Sequence, residues 1–292
     1  MGEPIPLSVW PAAQQTSTVQ RRGRYVPESM AHPAKMLPAI ARAAIEAYTE
    51  VGDLVLDPMC GIGTTLVEAA HLGRRGLGIE YEPRWANLAR ANLALAAGQG
   101  APGRGDVVTG DARRLDELAR SVRGQVALVL TSPPYGDSVH GHVHTRRGGG
   151  VAKSNTSYSD DPTNLARAGL DGILDATLVI LVAARELLRP GGIVALTARP
   201  WRRRGQLIDL PGAVVQVGEA AGLVAYERNI VLLAGLRNDK LVPRASFFQL
   251  DAVRKARLTG TRRCVIAHED LLVFRRELTA RGGQHRVLRA AR

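Results

Sequence analysis

Two cysteines in 292 residues leave this chain without a disulfide framework or a cysteine metal set. It has no run of about twenty apolar residues that would span a bilayer. No charged segment followed by an apolar one marks a leader, so a reduced, cytoplasmic protein without membrane attachment is expected. Lysine is scarce, with four among 39 basic side chains, and no internal repeat is visible. What remains is a chain that is 45% apolar, enough for one domain with a sizeable core. Its net charge of +12 is carried almost wholly by arginine. That balance suits a polyanionic partner, since clustered arginine neutralises phosphates and releases counterions, although genome composition is a second source of arginine.

The apolar run Val126-Ala127-Leu128-Val129 leads into Leu130-Thr131-Ser132-Pro133-Pro134-Tyr135. This reads as a buried strand ending in a hydroxyl, a stiff diproline and an aromatic ring. Each proline fixes its own φ and holds the preceding residue extended, so the carbonyls point in set directions without rearrangement. A planar aromatic amine would give its hydrogens to the Ser132 hydroxyl and the Pro133 carbonyl while Tyr135 stacks on the ring. The plain alternative is a Pro-Pro turn leaving a strand.

A second motif lies upstream. Leu54-Val55-Leu56-Asp57-Pro58-Met59-Cys60-Gly61-Ile62-Gly63-Thr64-Thr65 reads as strand, glycine loop and helix start. Gly61 and Gly63 permit positive φ and close approach, and the amides at the helix start favour an anionic group. Leu66 stands where a third glycine would complete a dinucleotide fingerprint, which argues against a pyrophosphate ligand. Two further short strands end in acids. Gly76-Leu77-Gly78-Ile79-Glu80 places Glu80 a little over twenty residues after Asp57, where it can accept from ribose hydroxyls, and Val107-Val108-Thr109-Gly110-Asp111-Ala112 places Asp111 to meet an adenine amine. Three successive strand ends thus address three parts of a nucleoside ligand.

On these residues the chain resembles the S-adenosylmethionine-dependent DNA methyltransferases that methylate exocyclic amines. Asp57-Pro58-x-Cys60-Gly61-x-Gly63-Thr64-Thr65 is similar to that family's cofactor loop, and Thr131-Ser132-Pro133-Pro134-Tyr135 to its catalytic motif in the serine form, usual for N4-methylcytosine. His32-Pro33-Ala34-Lys35-Met36 resembles the element over the cofactor's methionine end, and His268-Glu269-Asp270-Leu271-Leu272-Val273-Phe274-Arg275 the final strand. The resemblance implies an α/β, Rossmann-like class I fold with a mostly parallel seven-stranded sheet and a C-terminal antiparallel hairpin. It implies S-adenosylmethionine held by Lys35, Asp57, Pro58, Cys60, Gly61, Gly63, Thr64, Thr65, Glu80, Asp111, Ala112 and Thr131. Catalysis falls to Ser132, Pro133, Pro134 and Tyr135. The reaction is in-line methyl transfer to N4 of a cytosine flipped out of duplex DNA, a displacement costing roughly a few kcal/mol. Alternatives are N6 of adenine, a base amine of RNA, and a regulator that binds the cofactor without turnover. A glutamine-modifying protein methyltransferase would carry asparagine where Ser132 stands.

The expected organisation is an irregular N-terminal arm over 1–30, a methyltransferase domain over 31–276 and a basic tail over 277–292. Within the domain, 136–165 is expected as a mobile substrate loop whose Arg146 and Arg147 meet phosphates, and 235–263 as a basic excursion. Arg202-Arg203-Arg204 reads as a solvated loop, with Arg202 and Arg203 also candidate phosphate contacts. His140, His142 and His144 alternate, but no carboxylate or cysteine cluster accompanies them and methyl transfer from a sulfonium needs no metal, so no metal site is expected. Trp10 and Trp85 are assigned to packing.

Overall fold

The computed structural model describes residues 5–134, 142–145, 151–154, 161, 164–203 and 205–277. Its strands begin with β1 (Val9–Trp10), β2 (Leu54–Asp57), β3 (Arg75–Glu80), β4 (Arg104–Thr109) and β5 (Val126–Thr131). A hairpin of β6 (His142–Thr145) and β7 (Val151–Ser154) follows, then β8 (Leu188–Ala198) and a second hairpin of β9 (Trp201–Arg203) and β10 (Gln206–Ile208). β11 (Val224–Leu232), a third hairpin of β12 (Ala234–Arg237) and β13 (Lys240–Pro243), and β14 (His268–Arg275) complete the set. The helices are α1 (Ser17–Arg21), α2 (Pro38–Tyr48), α3 (Thr64–His71), α4 (Pro83–Gly98), α5 (Leu115–Leu118), α6 (Leu170–Leu187), α7 (Leu210–Ala220) and α8 (Phe247–Leu258).

One sheet of eight strands in the order β1-β11-β14-β8-β5-β2-β3-β4 carries the fold. Only β14 runs antiparallel to its neighbours, β8 and β11. The expected α/β, Rossmann-like architecture is present, with its antiparallel element at the C-terminal end. The strand number is eight instead of seven, because Val9 and Trp10 pair parallel with Ile230 and Val231 at the sheet edge. Two residues in a proline-rich stretch offer no period to read.

The strands alternate between two cores, as a pleated backbone requires. Leu54, Leu56, Val129, Val194, Leu196 and Phe274 face α6 and α7, while Val55, Leu128, Leu130, Ala195, Leu271 and Val273 face α2. β5 is buried along its whole length, which is why it reads as one continuous apolar run. α3 and α4 pack through Leu66, Val67, Trp85, Ala89 and Leu93.

Several segments expected to be irregular are ordered. The stretch before residue 31 holds β1, α1 and a short 3-10 turn over Pro27–Ala31. It is riveted to the body through Glu68 of α3, a fully buried carboxylate that receives Arg24 Nε and Nη2 at 2.8 and 2.6 Å, the Tyr25 hydroxyl at 2.8 Å and Arg42 at 3.2 Å. Arg202 and Arg203 lie on a hairpin strand and not in a loop. The 235–263 excursion is a hairpin turning at Asn238 and Asp239, both at positive φ, followed by α8 with a Ser246–Gln249 capping box. Of the predicted substrate loop, the described part includes the β6–β7 hairpin. No helix among the described residues is long and apolar enough to cross a membrane.

Gly78 of β3 has no room for a side chain: a Cβ there would stand 2.6 Å from Leu66 Cδ1 and 2.7 Å from Cys60 Sγ. Gly78→Ala is therefore expected to destabilise the protein by about 1–3 kcal/mol in denaturant titrations. Gly98→Ala, whose Cβ meets nothing within 4 Å, is expected to be neutral or to stabilise by up to ~1 kcal/mol.

Candidate active site

The loop after β2 is shaped by its own backbone and by a neighbouring acid. Gly61 and Gly63 adopt φ of 54° and 78°, and the Cys60 and Gly63 amides donate to the Ile79 and Cys60 carbonyls at 2.9 and 2.8 Å. The Gly61 amide donates to Glu80 Oε2 at 2.8 Å, and the Glu82 amide to Oε1 at 2.9 Å. Glu80, 1% exposed, thus locks loop and strand end together. A Cβ on Gly61 would come within 3.0 Å of His32 Nε2, so glycine here lets the N-terminal segment close over the loop.

Asp57 closes the turn from inside. Its Oδ2 accepts from the Thr65 hydroxyl at 2.6 Å and its Oδ1 from the Met59 amide at 3.1 Å. Burial pushes its carboxyl up to about 6, against the opposing pull of Thr65, Thr131 and the Met59 amide. Asp111 behaves oppositely. Burial would raise it, but the Arg113 guanidinium, 2.9 Å from Oδ2 through Nε, overrides this and holds it below the usual range. Burial and the Arg21 charge bring Lys35 down to about 8, and its ammonium donates to the His32 and Met30 carbonyls. His32 sits edge-on to Trp85 with centroids 4.6 Å apart; burial and the Lys35 charge keep it neutral.

These groups surround one cavity of about 270 Å³ at the carboxyl ends of the parallel strands. Lys35, Asp57, Pro58, Cys60, Gly61, Thr64, Thr65, Glu80, Asp111 and Ala112 line it, and so do Ser132, Pro133 and Pro134. Gly63 and Thr131 do not. Gly63 caps α3 against Ala89, and Thr131 is buried at the end of β5. Tyr135, Arg146 and Arg147 lie outside the described residues. Arg202 and Arg203 are exposed on β9 and away from the lining. Among the described residues no cluster of histidine, cysteine and carboxylates is placed to hold a metal.

Several lining or supporting residues were not anticipated from sequence. Thr197 of β8 donates to Ser132 Oγ at 2.9 Å from 65 positions away. Asn164 donates to Glu82 at 3.1 Å and the Tyr81 hydroxyl to Asp161, so the end of the 136–165 segment is tied to the rim beside Glu80. Glu269 enters from β14. A polar residue at a strand end was the available signal, but nothing in sequence says which strand ends are neighbours.

Residues 3–91 match the family model N6_N4_Mtase, described as DNA methylase. Over 114 residues, 37% of this chain, it is 35% identical to a tRNA (guanine(10)-N2)-dimethyltransferase of Methanocaldococcus jannaschii, covering 30% of that protein. Over 62 residues, 21% of this chain, it is 42% identical to the Type II methyltransferase M2.DpnII of Streptococcus pneumoniae, covering 23% of it. Both of these relatives are methyltransferases by name, and each is matched over a part of its length. The chain spans less than a third of either relative's length. TrmN from Thermus thermophilus superposes with a TM-score of 0.50 at 19% identity, over 88% of this chain and 53% of that one, and shares the fold. Family match and fold together imply S-adenosylmethionine as cofactor. The lining fits it chemically: carboxylates of Glu80 and Asp111 suit hydroxyls and an amine, and buried Asp57 suits nearby positive charge.

The unliganded folded chain holds the Asp57 proton more tightly than the unfolded chain does, since the carboxyl is raised from 3.8 to about 6. Its contribution to stability is then present at acid pH and lost as pH rises from about 4 to about 6. Asp57→Asn is expected to gain up to about 3 kcal/mol on the wild type between those limits. Parallel stability-versus-pH curves for the two proteins would contradict this.

Proposed function

We propose that this protein transfers the methyl group of S-adenosylmethionine to an exocyclic amine of a nucleic-acid base, with N4 of cytosine in DNA as the first substrate. The observation that carries the reading is the opening of Ser132-Pro133-Pro134 into the same cavity as the Asp57–Thr65 loop, Glu80 and Asp111. Bound there, the cofactor supplies an electrophilic methyl on a sulfonium.

The protein's part is to hold and aim the amine. Ser132 Oγ, held by the hydrogen bond from Thr197, keeps a lone pair for one amine hydrogen, and the Pro133 carbonyl can accept the other. Two acceptors on one NH2 turn its lone pair out of ring conjugation and toward the methyl. Tyr135 is assigned the ring face. Glu80 and Asp111 take the ribose and adenine, and Lys35, beside the loop, the carboxylate end.

A nucleic-acid partner is further supported by charge. Residues 234–263 hold eight arginines and lysines against two aspartates. The turn after β9 lies against this segment, since a Cβ on Gly205 would come 3.0 Å from Arg263 Nη2. With Arg202 and Arg203 exposed on β9, this makes a basic flank that suits phosphates. A second reading, a base amine of RNA, is favoured by the stretch 35% identical to the tRNA (guanine(10)-N2)-dimethyltransferase.

Labelled methyl transfer to duplex DNA and to total RNA, with the product nucleosides identified by mass spectrometry, separates these readings. N4-methylcytosine in DNA is expected, and Ser132→Ala should lower kcat by at least about tenfold. Label in RNA alone would move the protein to the second reading. Tyr135→Ala should likewise lower kcat by about tenfold or more and leave cofactor affinity unchanged, as loss of a stacking partner implies. Equal loss of both would count against that role.

A further inference from the structure

The β12–β13 hairpin is a projection that the proposed chemistry does not use, and it starts at the cavity. Leu233 lines the cavity and immediately precedes β12. Its amide donates to the Ala267 carbonyl at 2.8 Å, just before β14, and its carbonyl accepts from the Arg244 amide at 2.9 Å, which closes the hairpin's base. The turn at Asn238 and Asp239, with φ of 44° and 61°, closes the other end. Every residue from Leu236 to Arg244 is exposed, and four cross-strand pairs carry the tip about 13 Å beyond Leu233.

The N-terminal segment fixes the hairpin's direction. Gln14 Oε1 accepts from the Leu236 amide at 3.2 Å, and the Gln14 carbonyl accepts from Arg237 and Arg244 at 3.2 and 3.3 Å. A Cβ on Gly235 would stand 3.6 Å from the Ala13 carbonyl oxygen. Gly235 and Arg237 thus face this segment, and by the alternation of a strand Leu236 faces away from it together with its cross-strand partner Leu241. Two leucines, 50% and 57% exposed, are therefore held out side by side on a braced ribbon. Lys240 stands at the tip, and the same excursion exposes Arg254 and Arg257 on α8. Positive charge at this density favours a polyanion over an apolar protein face as the occupant.

The shape of the hairpin says which polyanion. A two-stranded ribbon is narrow enough for the major groove of duplex DNA, and an aliphatic side chain can wedge between base steps. A single strand is held instead by aromatic faces, of which this hairpin has none, and the major groove of an RNA helix is too narrow for side chains to read. We propose that the β12–β13 hairpin docks in duplex DNA, and that Leu236 and Leu241 fill the gap left when the target base enters the cavity. Leu233 at its base places the wedge beside the cavity that takes the base. The inference rests on the methyltransferase reading for the displaced base, and its test requires no methyl transfer.

The protein saturated with S-adenosylhomocysteine is titrated with duplex DNA of about three helical turns. The duplex is either intact or carries one central abasic site, which offers the gap without the cost of displacing a base. The wild type is expected to bind the abasic duplex at least tenfold more tightly than the intact one. Leu236→Ser with Leu241→Ser should bring the two affinities within about threefold of each other, and leave those for intact duplex and for S-adenosylhomocysteine unchanged. The inference is overturned by equal wild-type affinities, by a preference that survives in the double variant, or by loss of S-adenosylhomocysteine binding there. Tighter binding of single strands or of duplex RNA overturns it too, as does a wild-type dimer that the double substitution dissociates. If the abasic preference behaves as expected and no nucleic acid accepts methyl, the proposed reaction fails and the role of the hairpin stands. Methyl transfer without that preference overturns the role of the hairpin alone.

Discussion

Strand β2 hydrogen-bonds to β3 on one edge and β5 on the other, and the rest of the molecule follows from that position. From β2 the chain builds outward through β3 and β4, then returns to lay β5 on the opposite side and builds the other way through β8. At such a reversal, the loops leaving adjacent strands diverge and a crevice opens outside the carboxyl ends. The loop after β2 and the Ser132-Pro133-Pro134 segment after β5 flank that crevice. Their meeting in one cavity is a consequence of strand order, because each loop alone is an ordinary turn.

The crevice is closed by a segment that could have been solvent. Arg24, Tyr25 and Arg42 converge on buried Glu68, one turn into the helix that the glycine loop begins. A buried carboxylate with this many donors is stable only while they remain, so the N-terminal segment is coupled to the loop and not merely draped on it. Asn92 extends the coupling, its side chain receiving the Val26 amide and donating to the Ile62 carbonyl at 2.8 Å in each case. His32 and Lys35 thereby reach the cavity.

Additions to the sheet gather on the flank beyond β8. The β9–β10 hairpin, the β12–β13 hairpin and α8 all emerge between β8 and β14, and Arg199 reaches the Ile266 carbonyl at 2.9 Å to fasten the return. Their exposed Arg202, Arg203, Leu236, Leu241 and Val242 contribute nothing to the sheet's cores. Such a flank is free to serve binding, since its residues are not held by packing.

The amino-acid order by itself determined the elements: the fully apolar β5, the acids closing β3 and β4, the positive-φ glycines, and the helix runs. These are local properties, legible because backbone sterics and burial period act within a few residues. β1 escaped because two residues have no period, and the loops carrying Arg202 and residues 235–263 because hairpins rich in arginine lack alternation. What only the tertiary structure decided is which strand ends are neighbours. Glu80 is committed to the Gly61 amide, Asp111 to Arg113, Thr197 is brought to Ser132 from a distant strand, and Glu269 of β14 reaches the same cavity. Strand order is set by how crossover helices cover both faces of the sheet, a balance of non-local burial that no short window of sequence contains.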